Sequence, residues 1–181
     1  MKSLIFAVLL IFLPCIATAK NPIRTVEGYV TKVVDGDTIN VNSDGTRLKI
    51  RLYGIDAPET EKRNRKTGLA TKEGQAYGDE ALKALLGKVD GQKVFLNIMD
   101  IDRYRRMVSI VFLGSRNINR EMVAEGWAWA YRKYLEGTYA SEFMQDEEDA
   151  RKKRLGLWRQ YNPQPPWEFR KSDRMQLGIE K

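Results

Sequence analysis

Two clusters of ionisable residues hold the ingredients of metal-assisted phosphodiester chemistry. The first is Asp35-Gly36-Asp37-Thr38 followed by Arg51-Leu52-Tyr53-Gly54-Ile55-Asp56-Ala57-Pro58-Glu59. The second, further along, is Asp102-Arg103-Tyr104-Arg105-Arg106. Carboxylates hold hard divalent cations through oxygen, another carboxylate can orient or deprotonate water, and guanidinium grips two phosphate oxygens at once. The chain contains no histidine, which excludes imidazole acid–base catalysis and His-ligated zinc. Any acid or base must be a carboxylate, Lys, Tyr or water.

Asp37 follows a glycine at the entry to one expected strand, and Asp56 comes just after its neighbour. A hairpin joining those strands brings their ends together, so the two carboxylates can share one cation. The Ala57 carbonyl is a further oxygen candidate, because Pro58 restricts the residue before it to an extended shape. The competing reading is that Asp-Gly and Asp-Ala-Pro are ordinary turns, where Asp is favoured for its own hydrogen bonds. Glu59 is the leading candidate to act on water, against a plain role in capping or a surface ion pair. Arg51 and Arg106 are candidates for the charge that builds on phosphorus. Tyr104, flanked by Arg103, is placed to stack on a base or donate to a phosphate. Trp127, Trp129 and Tyr131 alternate like one strand face, for which core packing is the default. Tyr131 and Tyr134 are the better candidates for an exposed nucleobase shelf.

The elements that must position these residues are mostly strands from Arg24 to Leu113. Thr38 to Val41 is β-rich, and Asn42-Ser43-Asp44-Gly45 is a hairpin turn. Leu48, Ile50 and Leu52 then alternate with Arg47, Lys49 and Arg51, so one face is buried and the other cationic. Glu61 to Thr71 reads as a polar loop, and Lys72 to Leu86 as a helix ended by Gly87. Strands follow over Lys93 to Asp100 and Met107 to Leu113. Helices are expected over Ile118 to Glu125 and Tyr139 to Leu155, the second supported by acids preceding bases at i,i+4 spacing. Gly156 to Phe169, rich in proline, is expected to wrap back with Trp158 and Trp167 as anchors. Five strands with a helix after the third describe an α+β chain built on an OB-type barrel, an architecture whose open face binds nucleic acid or saccharide.

The first nineteen residues are expected to stand apart as an export signal. Lys2 gives a positive start, Leu4 to Leu13 is uninterruptedly apolar, and Ala17-Thr18-Ala19 supplies small residues for cleavage before Lys20. The apolar run falls short of the about 20 residues that cross a bilayer. The domains are thus residues 1–19, a body over 20–170, and a flexible tail over 171–181. Cys15 is the only cysteine, so the mature body has none to pair in an oxidising compartment. Cleavage removes only Lys2 of the 31 basic residues, leaving 30 against 24 acids, a net +6. That balance favours a polyanionic partner.

Together these motifs resemble the staphylococcal nuclease (thermonuclease) family. The residues that carry the resemblance are Val34-Asp35-Gly36-Asp37-Thr38, Ile50-Arg51-Leu52 through Asp56-Ala57-Pro58-Glu59-Thr60, and Asp102-x-Tyr104-x-Arg106, in that order, within about Val26 to Trp158. The resemblance implies a five-stranded OB-type barrel with three helices and Ca²⁺-dependent cleavage of DNA and RNA to 3′-phosphate ends. It places the metal-binding aspartates on Asp37 and Asp56, the carbonyl ligand on Ala57, the glutamate on Glu59 and the arginine pair on Arg51 and Arg106. Two departures stand out. Ala57 replaces the usual Thr, and Arg105 replaces the Gly that usually precedes the second arginine. An exported monomer, secreted or periplasmic and without stable membrane association after cleavage, is the expected setting. The alternative is a non-catalytic nucleic-acid-binding module on the same barrel.

Overall fold

The computed structural model describes residues 20–64 and 66–176, so the expected export signal lies outside the described residues. A meander of β1 (Arg24–Asp35), β2 (Thr38–Ser43) and β3 (Thr46–Leu52) opens the chain. Short pieces follow: β4 (Ile55–Asp56), then a hairpin of β5 (Lys62–Arg63) and β6 (Ala70–Lys72). Next come α1 (Gly78–Val89), β7 (Lys93–Ile101), β8 (Met107–Leu113), β9 (Arg116–Asn117), α2 (Ile118–Ala124) and β10 (Trp129–Ala130). The chain ends in α3 (Gly137–Lys152) and α4 (Pro166–Gln176).

The main sheet runs in the order β3-β2-β1-β7-β8-β9 and closes on itself where β3 pairs with β8 in parallel. The result is a five-stranded mixed barrel with helices around it, the expected OB-type fold. Its interior holds Ile39, Val41, Ile50, Val94, Leu96 and Ile110, all fully buried. Ile50 and Leu52 point inward while Arg47 and Lys49 stay in solvent, as the two-residue alternation requires. The β2–β3 turn places Asp44 and Gly45 at φ 48° and 80°, the left-handed pair of a type I′ hairpin. No helix among the described residues is long and apolar enough to cross a membrane.

Three differences from the sequence reading have local causes. The first helix starts at Gly78 rather than Lys72, because Tyr77 takes a left-handed φ of 68° that no right-handed helix can continue through. The loop over 61–71 contains the β5–β6 hairpin. Among the described residues there are four α-helices rather than three, and α4 occupies part of the segment expected to be a flexible tail. It starts at Pro166, whose fixed φ and missing N–H suit a first helical position.

A second small core forms where Trp129, Ala150, Leu157 and Trp158 meet, with Tyr77 and Trp167 packed against it. Trp158 and Trp167 therefore anchor the tail as expected. At the opposite end of the packing scale, α1 starts directly over the chain that carries Glu59. A Cβ at Gly78 would collide with the Glu59 carbonyl oxygen and the Thr60 nitrogen, both main chain. Gly78→Ala should therefore destabilise the fold by about 1–3 kcal/mol through overpacking. A urea unfolding midpoint checks this, and an unchanged midpoint would show that the Glu59 loop gives way freely.

Candidate active site

Asp37 stands at the corner between β1 and β2, and Asp56 on β4, which is held by backbone pairing of Asp56 with Trp129 on β10. Both carboxylates are buried, at 2% and 0% exposure. Arg51 leaves β3 opposite Thr38 and places one terminal nitrogen on Asp37 Oδ1 and the other on Asp56 Oδ1. Asp37 Oδ2 accepts the Ala57 N–H at 2.9 Å, and Thr38 Oγ1 donates to Asp37 Oδ1 at 3.0 Å. One guanidinium thus spans two acids that the sequence separates by nineteen positions.

Burial pushes the Asp37 carboxyl up to about 6; Arg51 works against that shift, and the charges of Asp56 and Asp35 add to it. For Arg51 burial would lower the pKa, but the charges of Asp37 and Asp56 outweigh it and hold the guanidinium charged.

Glu59 follows three residues after Asp56, half-buried. Its Oε2 accepts Lys72 Nζ at 2.8 Å and its Oε1 accepts Arg170 Nη1 at 2.8 Å. Burial alone would raise the Glu59 pKa, and the hydrogen bonds from Lys72 and Arg170 bring it below the usual value instead. Glu59 is therefore an ionised acceptor near neutral pH. Arg170 also donates to Asp56, from Nη2 to Oδ2 at 2.6 Å and from Nη1 to Oδ1 at 3.1 Å. Beside them, Asp35 accepts Lys62 Nζ at 2.8 Å.

Among the described residues no group of three or more His, Cys, Asp or Glu is arranged to hold a metal. The oxygens nevertheless fit a hard cation. The span of Arg51 shows that the Asp37 and Asp56 carboxylates converge, and the intervening Ala57 N–H pins Asp37 toward the Ala57 peptide. Two carboxylates and a neighbouring carbonyl, completed by water, suit Ca²⁺ or Mg²⁺ chemistry.

The remaining expected residues are distributed unevenly. Tyr131 is half-buried near the acids, and its ring stacks on Trp167 (5.2 Å, 17°) and meets Tyr134 edge-on at 5.1 Å. Tyr134 is exposed. Arg106 precedes Met107, which pairs with Ile50 on the strand carrying Arg51. Its Nε donates to Asp102 Oδ2 at 2.6 Å. Arg103 lies over the exposed Tyr104 ring at 4.8 Å. The structure thus gathers Asp37, Arg51, Asp56, Ala57 and Glu59, puts Tyr131 beside them, and leaves Arg103, Tyr104 and Arg106 on an adjoining turn. Arg105 takes φ 61° there, a left-handed conformation that glycine adopts without strain.

Comparison with known proteins identifies the family of the chain. Residues 49–160 match the model of a family described as staphylococcal nuclease homologue. A micrococcal nuclease from Shigella flexneri is 36% identical over 156 residues, covering 81% of this chain and 82% of its own length. An uncharacterized endonuclease from Haemophilus influenzae is 34% identical over 182 residues, covering 99% and 90%. Endonuclease Htp3 from Saprolegnia parasitica is 35% identical over 156 residues, covering 75% and 71%. The chain belongs to the staphylococcal nuclease family.

Two residues of this family member's site were not legible from the motifs. Lys72 comes from a segment that reads as a helix start, and Arg170 from a helix beyond residues 49–160, the part that matches the family. Only the spacing of Trp167 and Arg170, three apart after a proline pair, hints that one helix face could bring both inward.

The buried Asp37 has a consequence for stability. With a folded value of about 6 against the ordinary 3.8, the folded protein binds more protons than the unfolded chain between those values. Stability from this group is present below about 4 and is lost as pH rises to about 6. In metal-free buffer, the Tm of wild type relative to Asp37→Asn should fall as pH is raised through that window. A constant difference would mean that Asp37 ionises without strain.

Proposed function

We propose that this protein is an exported, Ca²⁺-dependent nuclease that hydrolyses DNA and RNA without regard to sugar and leaves 3′-phosphate ends. The observation that carries the reading is the pair of buried carboxylates joined by Arg51 beside an ionised Glu59. Family membership and the nuclease names of the relatives support the reaction class. The net charge of +7 favours encounter with a polyanion. The basic start and small-residue cleavage site before Lys20 support export, and nothing in the site requires more than one copy of the chain.

Asp37, Asp56 and the Ala57 carbonyl would hold Ca²⁺, which when bound supplies a Lewis acid and a template for the scissile phosphate. Glu59, ionised and next to those acids, accepts a hydrogen bond from the attacking water and orients it. Hydrolysis gathers charge on phosphorus as five oxygens crowd it, and fixed cationic donors lower that barrier. Arg51 is fixed by its two carboxylates, which engage two of its five N–H donors. Arg106 uses only Nε on Asp102, so among the described residues its terminal nitrogens carry no hydrogen bond. Tyr131 and Tyr134 offer ring faces to a base beside the cleaved bond, and Arg103 with Tyr104 offers a cation and a ring on the adjoining turn.

Degradation of single-stranded DNA, duplex DNA and RNA by the protein starting at Lys20 tests this directly, with Ca²⁺, Mg²⁺ and chelator in parallel. Cleavage should require Ca²⁺ and fall about 10²–10⁴-fold in Glu59→Gln, while binding to DNA persists. Binding without cleavage under every metal would leave a nucleic-acid-binding module instead. In the same assay Arg106→Ala should lose about 10²-fold or more in kcat, as for a lost transition-state donor, while Arg105→Ala loses little. The reverse ranking would place Arg105 on the phosphate.

A further inference from the structure

Both oxygens of Asp56 and both oxygens of Glu59 accept hydrogen bonds from cationic side chains. Asp56 Oδ1 takes Arg51 and Arg170, and Asp56 Oδ2 takes Arg170 alone. Glu59 Oε1 takes Arg170 and Oε2 takes Lys72. Arg170 is the group that touches both acids. A divalent cation needs an oxygen of Asp56, and like-charge repulsion opposes its sharing Oδ2 with a guanidinium at 2.6 Å. A water acting through Glu59 must share an oxygen that already accepts a hydrogen bond from Arg170 or Lys72.

Arg170 also differs from Arg51 in how it is held. Arg51 sits on a barrel strand between two neighbours, β2 and β8. Arg170 sits on α4, which docks through Trp167 against Tyr131 and edge-on to Trp129 at 5.6 Å. The chain just before α4 is tied down by Gln75, whose amide donates to the Gln164 carbonyl. Gln75 in turn pairs with the Glu59 backbone, its N–H reaching the Glu59 carbonyl at 2.7 Å. One docking event therefore covers Asp56, Glu59 and the ring of Tyr131 together.

We propose that Arg170 is a further residue of the cation site, an internal competitor at Asp56 and Glu59 whose release from those carboxylates sets the Ca²⁺ concentration that the enzyme requires. This rests on the cation site proposed above. Cation binding and the contacts of Arg170 with these acids oppose each other, and each weakens the other by the same factor. The apparent cation affinity is the intrinsic one reduced by the fraction of molecules in which Arg170 has left.

Calorimetric titration of the metal-free protein from Lys20 with Ca²⁺, without nucleic acid, measures this. Arg170→Ala should bind Ca²⁺ about tenfold or more tighter than wild type, the change expected if the released state is a minority of about one in ten. Trp167→Ala keeps every charge but loosens α4, and should tighten binding in the same direction. Arg174→Ala removes a charge from the same helix without touching the acids, and should leave affinity unchanged. In wild type, hydrogen exchange of the α4 amides should speed up when Ca²⁺ is added. Equal Ca²⁺ affinity in wild type, Arg170→Ala and Trp167→Ala, or slower α4 exchange with Ca²⁺, would overturn the role of Arg170 alone. No saturable binding in wild type or Arg170→Ala would overturn the cation site itself, and this inference with it.

Discussion

Two carboxylates that both lie out of water and close together can both stay ionised only if a cation is shared between them. Arg51 is that cation, and its placement constrains the rest. Removing such a partner from a buried ionic group leaves uncompensated charge, a far larger penalty than the bond it breaks. The guanidinium must leave β3 at the register where Thr38 lies across from it, so that it meets Asp37 at the β1–β2 corner. It must also meet Asp56, which is possible because β4 is pinned to β10. Barrel closure between β3 and β8 fixes the strand that carries it. The bridge between Asp37 and Asp56 is thus a consequence of strand register, while Ala57 and Glu59 lie on the segment that follows β4.

Compensation continues outward in layers, and each layer recruits an element the barrel does not need for its own core. Asp35 engages Lys62 on β5, Glu59 engages Lys72 on β6, and Asp56 with Glu59 engages Arg170 on α4. The small hairpin is therefore tied to the barrel through charges of the site, and the last helix through those charges together with the packing of Trp167. For α4 the aromatic contacts of Trp167 add apolar area, since stacked and edge-on rings contribute beyond simple burial. Elements joined to a body mainly by paired charges respond to any competing ion there, whereas the strands, held by core packing, do not.

The barrel was legible because its signal is periodic. Leu48, Ile50 and Leu52 report a buried face irrespective of what lies across from them, and Asp44-Gly45 reports its own turn. The acids were legible for a different reason: Asp37 and Asp56 sit at strand ends whose hairpin connection brings them together, and Glu59 follows Asp56 by three residues. What failed to show was set by single backbone conformations and by long-range pairing. The left-handed Tyr77 delays α1 by six residues although the apolar spacing of the preceding segment still reads as helix. The partnership of Arg170 with Asp56 spans 114 positions, and no local pattern encodes a contact of that range.

The turn over Asp102 to Arg106 shows how a local cost can be absorbed by the same electrostatics. An L-residue held left-handed, as Arg105 is, carries a penalty of roughly 1–2 kcal/mol relative to its ordinary conformation. Asp102 offsets it. Its Oδ1 accepts the backbone N–H groups of Tyr104 and Arg106, both at 2.9 Å, and its Oδ2 accepts Arg106 Nε. Hydrogen bonds from Arg106, backbone and side chain, hold the Asp102 carboxyl below its ordinary pKa even though burial opposes them. The charged carboxylate is therefore what closes the turn, and glycine is dispensable there. The arginine in its place adds a cation beside Arg103 and Arg106, on the turn that leads into the strand paired with Arg51. Arginine at this position sets backbone strain against added positive potential on the turn.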